Sequence, residues 1–500
     1  MSSGSTIIRS KVIVSSLFAL FSLCVLATPA FASTITVSPG QSIQSAANNA
    51  NAGDTIVVNA GTYNERVSVT RSGASGSPIT FQAQGIVITR GFNVTASYIT
   101  IKDFQIKDTV YEKANVKLGA GVYLNGSNSL IENNYIQDAV LYGIFINNGT
   151  KNNTVRNNRI FHVGDEGINI MGTNHLIENN EIWKVLECHP KLLAVEAESD
   201  CKWGDPLNPD ADGMDFFGSG HIIRNNYIHD IVSGSPGINP AEDDYNNDAH
   251  TDCFQTWNGW AGPASNVLFE GNRCLRMDAN AGWQLQGASY LTFSHNVVEN
   301  PNGVNGFSSG NHHITVKNNV FANNTTAGVE LVSGPNSTVK NNIFYNQKKY
   351  TIILQGDITG TVADYNMAYK PGGTANCIVG DGYGCLSLST AHNRWDVNPM
   401  FVDPANNDYH LKPGSPACTA GEGGTYIGAF PCTATPSPSP SPSAKPGDAN
   451  NNGIVDGVDY VIWLNHYKQT LTGGPSVGDF NTSGTVDGVD YVLWLNNYKK

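Results

Sequence analysis

Charge is scarce in this chain of 500 residues, and the little there is leans one way. Asp, Glu, Lys and Arg make up only 14% of it, and 29 basic residues against 42 acidic ones leave a formal charge of −13. A chain so short of cations is poorly suited to nucleic acid. No two cysteines have CxxC spacing, which removes the common zinc-ribbon reading. Beyond the first thirty or so residues no stretch is apolar enough to cross a bilayer. Gly and Asn, by contrast, are abundant, a composition that suits many tight turns better than long helices.

The start of the chain has its own logic. Arg9 and Lys11 precede an apolar run from Val12 to Ala27, and Ala30, Phe31 and Ala32 form a small-x-small site. Residues 1–32 therefore read as a secretory signal, with a mature chain from Ser33. The run is short for a membrane anchor. Of 9 cysteines, Cys24 belongs to this segment. The rest fall into neighbouring pairs, Cys188/Cys201, Cys253/Cys274, Cys377/Cys385 and Cys418/Cys432, as expected for disulfides in an exported protein. Free buried thiols are the alternative, above all for Cys253 and Cys274.

One phrase recurs: apolar-x-Asn-Asn-x-apolar. It runs from Ile131 to Ile136, Val155 to Ile160, Ile177 to Ile182, Ile223 to Ile228, Val316 to Phe321 and Val339 to Phe344, with weaker copies ending in Asn272 and Asn296. The second Asn of each copy gives the series Asn134, Asn158, Asn180, Asn226, Asn272, Asn296, Asn319 and Asn342, in steps of 22 to 24 residues and two steps of 46. The flanking residues are β-branched, and leucine-rich spacing is absent, so the repeat points to a β-solenoid. One Asn per coil would sit in the left-handed region at a turn and stack on the Asn of the next coil. The two long steps require insertions, over about residues 187–209 and 233–249.

Ser42 to Ala47, Gly53 to Val58 and Gly61 to Glu65 resemble the opening of pectin-lyase-fold proteins, in which a short amphipathic helix caps the first coil. Asn398 to Pro404, His410 to Pro416 and Ile427 to Phe430 resemble that family's closing segment. The resemblance implies an all-β, right-handed parallel β-helix over residues 33–432. This fold hosts lyases, hydrolases, epimerases and noncatalytic adhesins.

Residues 433–447 form a Pro/Ser-rich spacer with Pro436, Pro438, Pro440 and Pro442 on alternate positions. Residues 448–500 carry one motif twice: Asp448, Asn450, Asn452, Asp456 and Asp459, then Asp479, Asn481, Ser483, Asp487 and Asp490, with Gly453 and Gly484 at the sixth position. Oxygen side chains at these spacings suit Ca²⁺, and each loop runs into a helix-like segment. The tail is similar to type I dockerins, small α-helical modules with two EF-hand-like calcium loops. That similarity implies docking onto a cohesin-bearing scaffold protein. The hydroxyl pair common at loop positions 10 and 11 is replaced by Gly457 and Val458, and by Gly488 and Val489.

Aligned by their distance from the Asn series, the strands give an outward column of Tyr123, Phe145, Asn169, Asp215, Gln255, Gln284, Asn305 and Glu330. A second column, one residue before each strand, holds Ala120, Tyr142, Glu166, Asp212, Asp252, Ala281, Asn302 and Ala327. Carboxyls concentrate at Glu166, Asp212, Asp215 and Asp252, beside both insertions, with Trp257, Trp260 and Trp283 as sugar-stacking candidates. Asp212-Gly-Met-Asp215 and Asp252-Cys253 loosely resemble polygalacturonase motifs, which would make Asp212 and Asp252 the catalytic acids. Calcium-dependent pectate lyases are a second template, in which Asp212, Asp215 and Asp252 would hold Ca²⁺ and Lys202 or His250 would act as base. These readings imply a secreted enzyme, lyase or glycoside hydrolase, acting on a polysaccharide. The rival reading is a noncatalytic carbohydrate-binding or surface protein.

Overall fold

The computed structural model describes residues 1, 32–110, 116–186, 189, 210–231, 251–259, 261–277, 280–306, 308, 310–374, 377–383, 385, 392–432, 445, 447–449, 455, 457–470, 474–481 and 483–498. The two insertions apart from His189, the signal segment apart from its first and last residues, nearly all of the spacer and Asn450, Asn452 and Asp456 lie outside them.

Each coil contributes short parallel strands to stacked sheets. One of these sheets has 12 strands and the other 24, because two stacks merge through the long strands Thr55–Tyr63 and Ile79–Thr89; a third, antiparallel pair, Phe401–Asp403 with Asp408–Leu411, belongs to the closing segment. Ile131, Ile136, Val155, Ile160, Ile177 and Ile182, the apolar ends of the repeated phrase, point inward and are fully buried. The expected helix is Ile43–Asn49. Its Ile43, Ala46 and Ala47 close the first coil, and Glu65 accepts from the amides of Ile43 and Gln44 at its start. An acid there satisfies amides that have no partner within the helix.

The Asn repeat does divide its labour, but differently from the expectation above. The left-handed residue is the first Asn of each pair: Asn133, Asn157, Asn179, Asn225, Asn318 and Asn341 have φ near 55°. The second Asn is buried and forms the ladder. Asn226, for example, donates its backbone N–H to Asn272 Oδ1 at 3.0 Å and its side-chain amide to Ile177 O at 3.0 Å. The ladder continues past Asn342 to Asn366 and Asn393. An amide both donates and accepts, so each rung completes the one before it.

A second ladder stands five residues earlier in the chain. The backbone amides of Ile99, Ser129, Asn153 and His175 donate in turn to the side chains of Ser129, Asn153, His175 and His221. The two imidazoles are stacked and buried, and each reaches a carbonyl through Nε2, Met171 O and Phe217 O. Accepting at Nδ1 and donating at Nε2 requires the neutral ring. Burial holds His175 down to about 3 and His221 down to about 4.

At the opposite wall a glycine column is sterically compulsory. A Cβ on Gly143, Gly167 or Gly213 would lie 2.5–2.7 Å from the Cγ2 of Ile160, Ile182 or Ile228. The next coil swaps this pair for a covalent one. Cys253 follows the pattern of Gly213, Cys274 pairs in register with Ile228, and the two are disulfide-bonded with Cα atoms 6.2 Å apart. The free-thiol alternative is therefore set aside. Cys377–Cys385 and Cys418–Cys432 are also bonded, while Cys188 and Cys201 lie outside the described residues.

The closing segment folds back along the outside of one sheet. Phe401, Tyr409, Leu411 and Ile427 cover Val297, Val320, Ile343 and Met367, which would otherwise be an exposed apolar strip. Beyond the spacer, the helices Gly457–His466 and Gly488–Asn497 pack around a separate small core of Ala449, Val455, Trp463, Phe480, Val486 and Trp494. Its duplication is reciprocal: Gly447 lies against Trp494, and Gly478 against Trp463. Among the described residues no helix is long and apolar enough to cross a membrane.

Candidate active site

The outward column is in register as aligned from the sequence. Tyr123 pairs with Phe145, Phe145 with Asn169, Asn169 with Asp215, Asp215 with Gln255, Gln255 with Gln284, Gln284 with Asn305 and Asn305 with Glu330. Glu166 pairs with Asp212 in the second column. Both columns face the same side because Gly213 and Met214 both turn inward, which breaks strict alternation and brings Asp212 round beside Asp215.

The acids are not solvated. Glu166, Asp212, Asp215 and Asp252 are all buried, Asp212 and Asp252 completely. Two further acids that the strand alignment passed over belong with them. Asp165 accepts from the amide of Asp210 at 3.0 Å and from Tyr142, and the Asp210 carboxyl is bonded to the amide of Ala211. Both precede a column residue, Asp165 by one position and Asp210 by two, so runs of acids ahead of the strand were the available signal.

Asp212 and Asp252 each spend one oxygen on the frame. Asp212 Oδ1 accepts from Asp252 N–H, and Asp252 Oδ1 from Ala281 N–H, both at 2.6 Å. They thus act as rungs as well as site residues. The Glu166 and Asp215 carboxyls act directly on each other. Glu166 Oε2, Asp212 Oδ2 and Asp215 Oδ1 are buried without hydrogen-bond partners. No described Lys or Arg forms an ion pair with Glu166, Asp212 or Asp215. Burial, reinforced by neighbouring carboxylates, raises Glu166, Asp212 and Asp215 well above the usual range, and burial lifts Asp165 to about 7.

The aromatic expectation needs correction. Trp283 is fully buried in the interior, stacked on Phe254, so no sugar reaches it. Trp257 packs edge-on against Phe217 within a cluster that includes Tyr123, Phe145 and Met171. Trp260, Lys202 and His250 lie outside the described residues. In the tail, Asp448, Asp459, Asp479 and Asp490 are buried. Asp479 accepts from the amides of Ser483 and Gly484, Asp490 from those of Asn481 and Asp487, and Asp487 caps the second helix through Val489.

Residues 28–180 match a family model described as Pel9A-like, right handed beta helix region. Residues 207–366 and 258–394 match one described as right handed beta helix region. Similar solved structures include pectate lyase Pel9A, with 18% identity, a TM-score of 0.46 and coverage of 80% of this chain and 96% of that one. An alginate lyase from Paenibacillus sp. str. FPU-7 has 14% identity, a TM-score of 0.37 and coverage of 72% and 99%. The A-module of the mannuronan C-5 epimerase AlgE4 from Azotobacter vinelandii has 14% identity, a TM-score of 0.39 and coverage of 70% and 92%. No curated protein matches the chain in sequence. With its stacked parallel sheets and two matching family models, this chain is a right-handed parallel β-helix protein.

Proposed function

We propose that the chain is a secreted enzyme that cleaves glycosidic bonds in a uronate-bearing polysaccharide by elimination at the buried acid cluster. One observation carries this reading: carboxyls on stacked coils keep buried oxygens with no donor, at Glu166, Asp212 and Asp215. A hydrolase uses one raised carboxyl as its acid. Several surplus acceptors with no cationic side chain paired to them among the described residues suit a hard cation better. Asp212, Asp215 and Asp252, with Glu166 beside them, are the oxygen donors that would hold Ca²⁺. Bound there, Ca²⁺ would neutralise a substrate carboxylate and so acidify the adjacent C5 proton. Asp212 and Asp252 hold the coils in register through their second oxygens, and Tyr142 orients Asp165. Lys202 or His250 supplies the base.

The test is a panel of plant and algal polysaccharides followed by ultraviolet absorbance of unsaturated ends and by reducing ends. Unsaturated product that disappears in chelator is the expected result. Reducing ends alone, surviving chelation, indicate a hydrolase. Binding without product assigns a noncatalytic carbohydrate-binding protein.

For the tail we propose two Ca²⁺ loops and attachment to a cohesin-bearing scaffold. Val461 and Leu464 on one helix, and Val492 and Leu495 on its duplicate, are exposed apolar residues at equivalent positions. In the full chain, Asp448→Ala with Asp479→Ala should remove two equivalents of bound Ca²⁺ in calorimetry. Unchanged stoichiometry would refute the assignment.

A further inference from the structure

Just ahead of the acid cluster in the chain, two successive coils place Asp138, which follows the strand Tyr135–Gln137, and His162, within the strand Arg159–Gly164, one above the other. Both are in the left-handed region, at φ 54° and 53°. His162 Nδ1 lies 2.7 Å from Asp138 Oδ1. A third side chain joins them from just past the strand Glu181–Leu186. His189 is buried, and its ring meets that of His162 edge to face at 5.1 Å. It packs beside Gly164, where a Cβ would lie 3.3 Å from His189 Cβ and collide with Val140 O. One donor atom from each of Asp138, His162 and His189 lies within 4.8 Å of the other two.

We propose that Asp138, His162 and His189 form a binding site for a divalent cation of the zinc class, which pins the chain leaving the strand Glu181–Leu186 onto two stacked coils. Donor chemistry selects the ion. Two imidazoles and one carboxylate suit Zn²⁺, Co²⁺ or Ni²⁺, whereas Ca²⁺ takes oxygen donors. The supporting groups fit as well. Asp138 Oδ2 accepts from Gln137 Nε2 at 2.8 Å and lies 3.7 Å from Lys107 Nζ. That leaves the other carboxylate oxygen toward the imidazoles. A hydrogen-bonded orienting partner of this kind is what a metal-binding carboxylate usually has. Metal and proton compete for the imidazole lone pairs, so binding weakens in acid. The site differs in donor type from both the acid cluster and the tail loops, so Ca²⁺ can saturate those while this site is probed.

The experiment uses the full mature chain, stripped with chelator and returned to excess Ca²⁺. Co²⁺ is then titrated in, and the visible spectrum is followed. A single equivalent giving the intense absorption of four-coordinate cobalt, displaced by Zn²⁺, is the expected result. His162→Gln and His189→Gln should each abolish the band and weaken Zn²⁺ retention at least about tenfold. His392→Gln, an exposed histidine bonded to Asp364, should leave both unchanged. Absence of the band in the wild type overturns the proposal, as does its survival in His189→Gln. Should His162→Gln fail to fold, His189→Gln decides alone, since its side chain is no rung of either ladder.

Discussion

Two columns of side chains climb this β-helix by the same geometry with opposite outcomes. In the Asn column, from Asn134 to Asn393, every buried amide gives and receives. In the acid column, Asp212 and Asp252 accept from the coil above through one oxygen, but a carboxylate has nothing to give in return. The Asn column is therefore complete in itself. The acid column is left with surplus acceptors and mutual repulsion, relieved either by a proton or by a cation. A self-sufficient rung repeats along a solenoid without limit; a rung that needs something from outside marks a place where something is bound.

The largest expected effect comes from turning one column into the other. Glu166→Gln and Asp215→Asn replace acceptors with amides at nearly constant shape. Activity on any polymer the wild type cleaves should fall at least about a hundredfold, the scale of a positioned acid, base or ligand. Metal-free thermal melting should hold or rise, because repulsion is removed. Glu330→Gln, outward on the same sheet but without acidic neighbours, should do neither. Retained activity in Asp215→Asn would dissolve the distinction between the columns.

The converse change comes next. Asn319→Ala removes donors to Phe293 O and Asn342 Oδ1 and the acceptor for Asn296 N–H, all buried. A cost of roughly 2–4 kcal/mol is expected, read as a lower denaturation midpoint. A neutral result would mean that the ladder records register without enforcing it.

Acidity separates the two sides more gently. His175 and His221 have values depressed below the unfolded 6.5, to about 3 and about 4. Their contribution is complete above 6.5 and is lost as pH falls toward those values, since the unfolded chain takes up protons first. Asp165 runs the other way, raised from 3.8 to about 7. Its neutral form is favoured on folding, so stability drains away as pH rises through about 7. His175→Asn should flatten the acid side of a melting-temperature profile, and Asp165→Asn or added Ca²⁺ the neutral side. If Ca²⁺ leaves the neutral side unchanged, the cluster does not bind it.

The smallest effect concerns the covalent rung. Cys253→Gly with Cys274→Ile restores the pair used one coil below, Gly213 with Ile228. It should melt closer to wild type than Cys253→Ala with Cys274→Ala, which fills neither role. Equal melting would show that the crosslink, and not the packing it replaced, is what this coil needs.

The strand columns were legible because the Asn phrase is a ruler. Once its offset is known, Asp215 and Gln255 fall into line without further information. What escaped was local. Alternation alone cannot reveal that consecutive residues such as Gly213 and Met214 both face inward, and it is silent on Asp165 and Asp210, which lie ahead of the strands; Trp283 it does place, on the inward side beside outward Gln284, where the ring fills the core. Nor does Asn-Asn say which residue bends the chain and which bonds. The histidine ladder was written at a constant five-residue offset, but imidazole as a rung is a rarer use than amide, and the pattern shows only beside Ser129 and Asn153.

The Asn180–Asn226 and Asn226–Asn272 rungs close at 3.0 Å across 46 residues, as Asn158–Asn180 does across 22. The fastening is indifferent to how far the chain travels between fastenings. A solenoid built this way resembles a bookshelf whose brackets take no notice of the books: length and composition on the outgoing side are free to drift, duplicate or be exchanged while the frame carries no penalty. Variation in what is grasped and constancy in what grasps it are then inherited separately, and new recognition surfaces cost such a protein no renegotiation of its core.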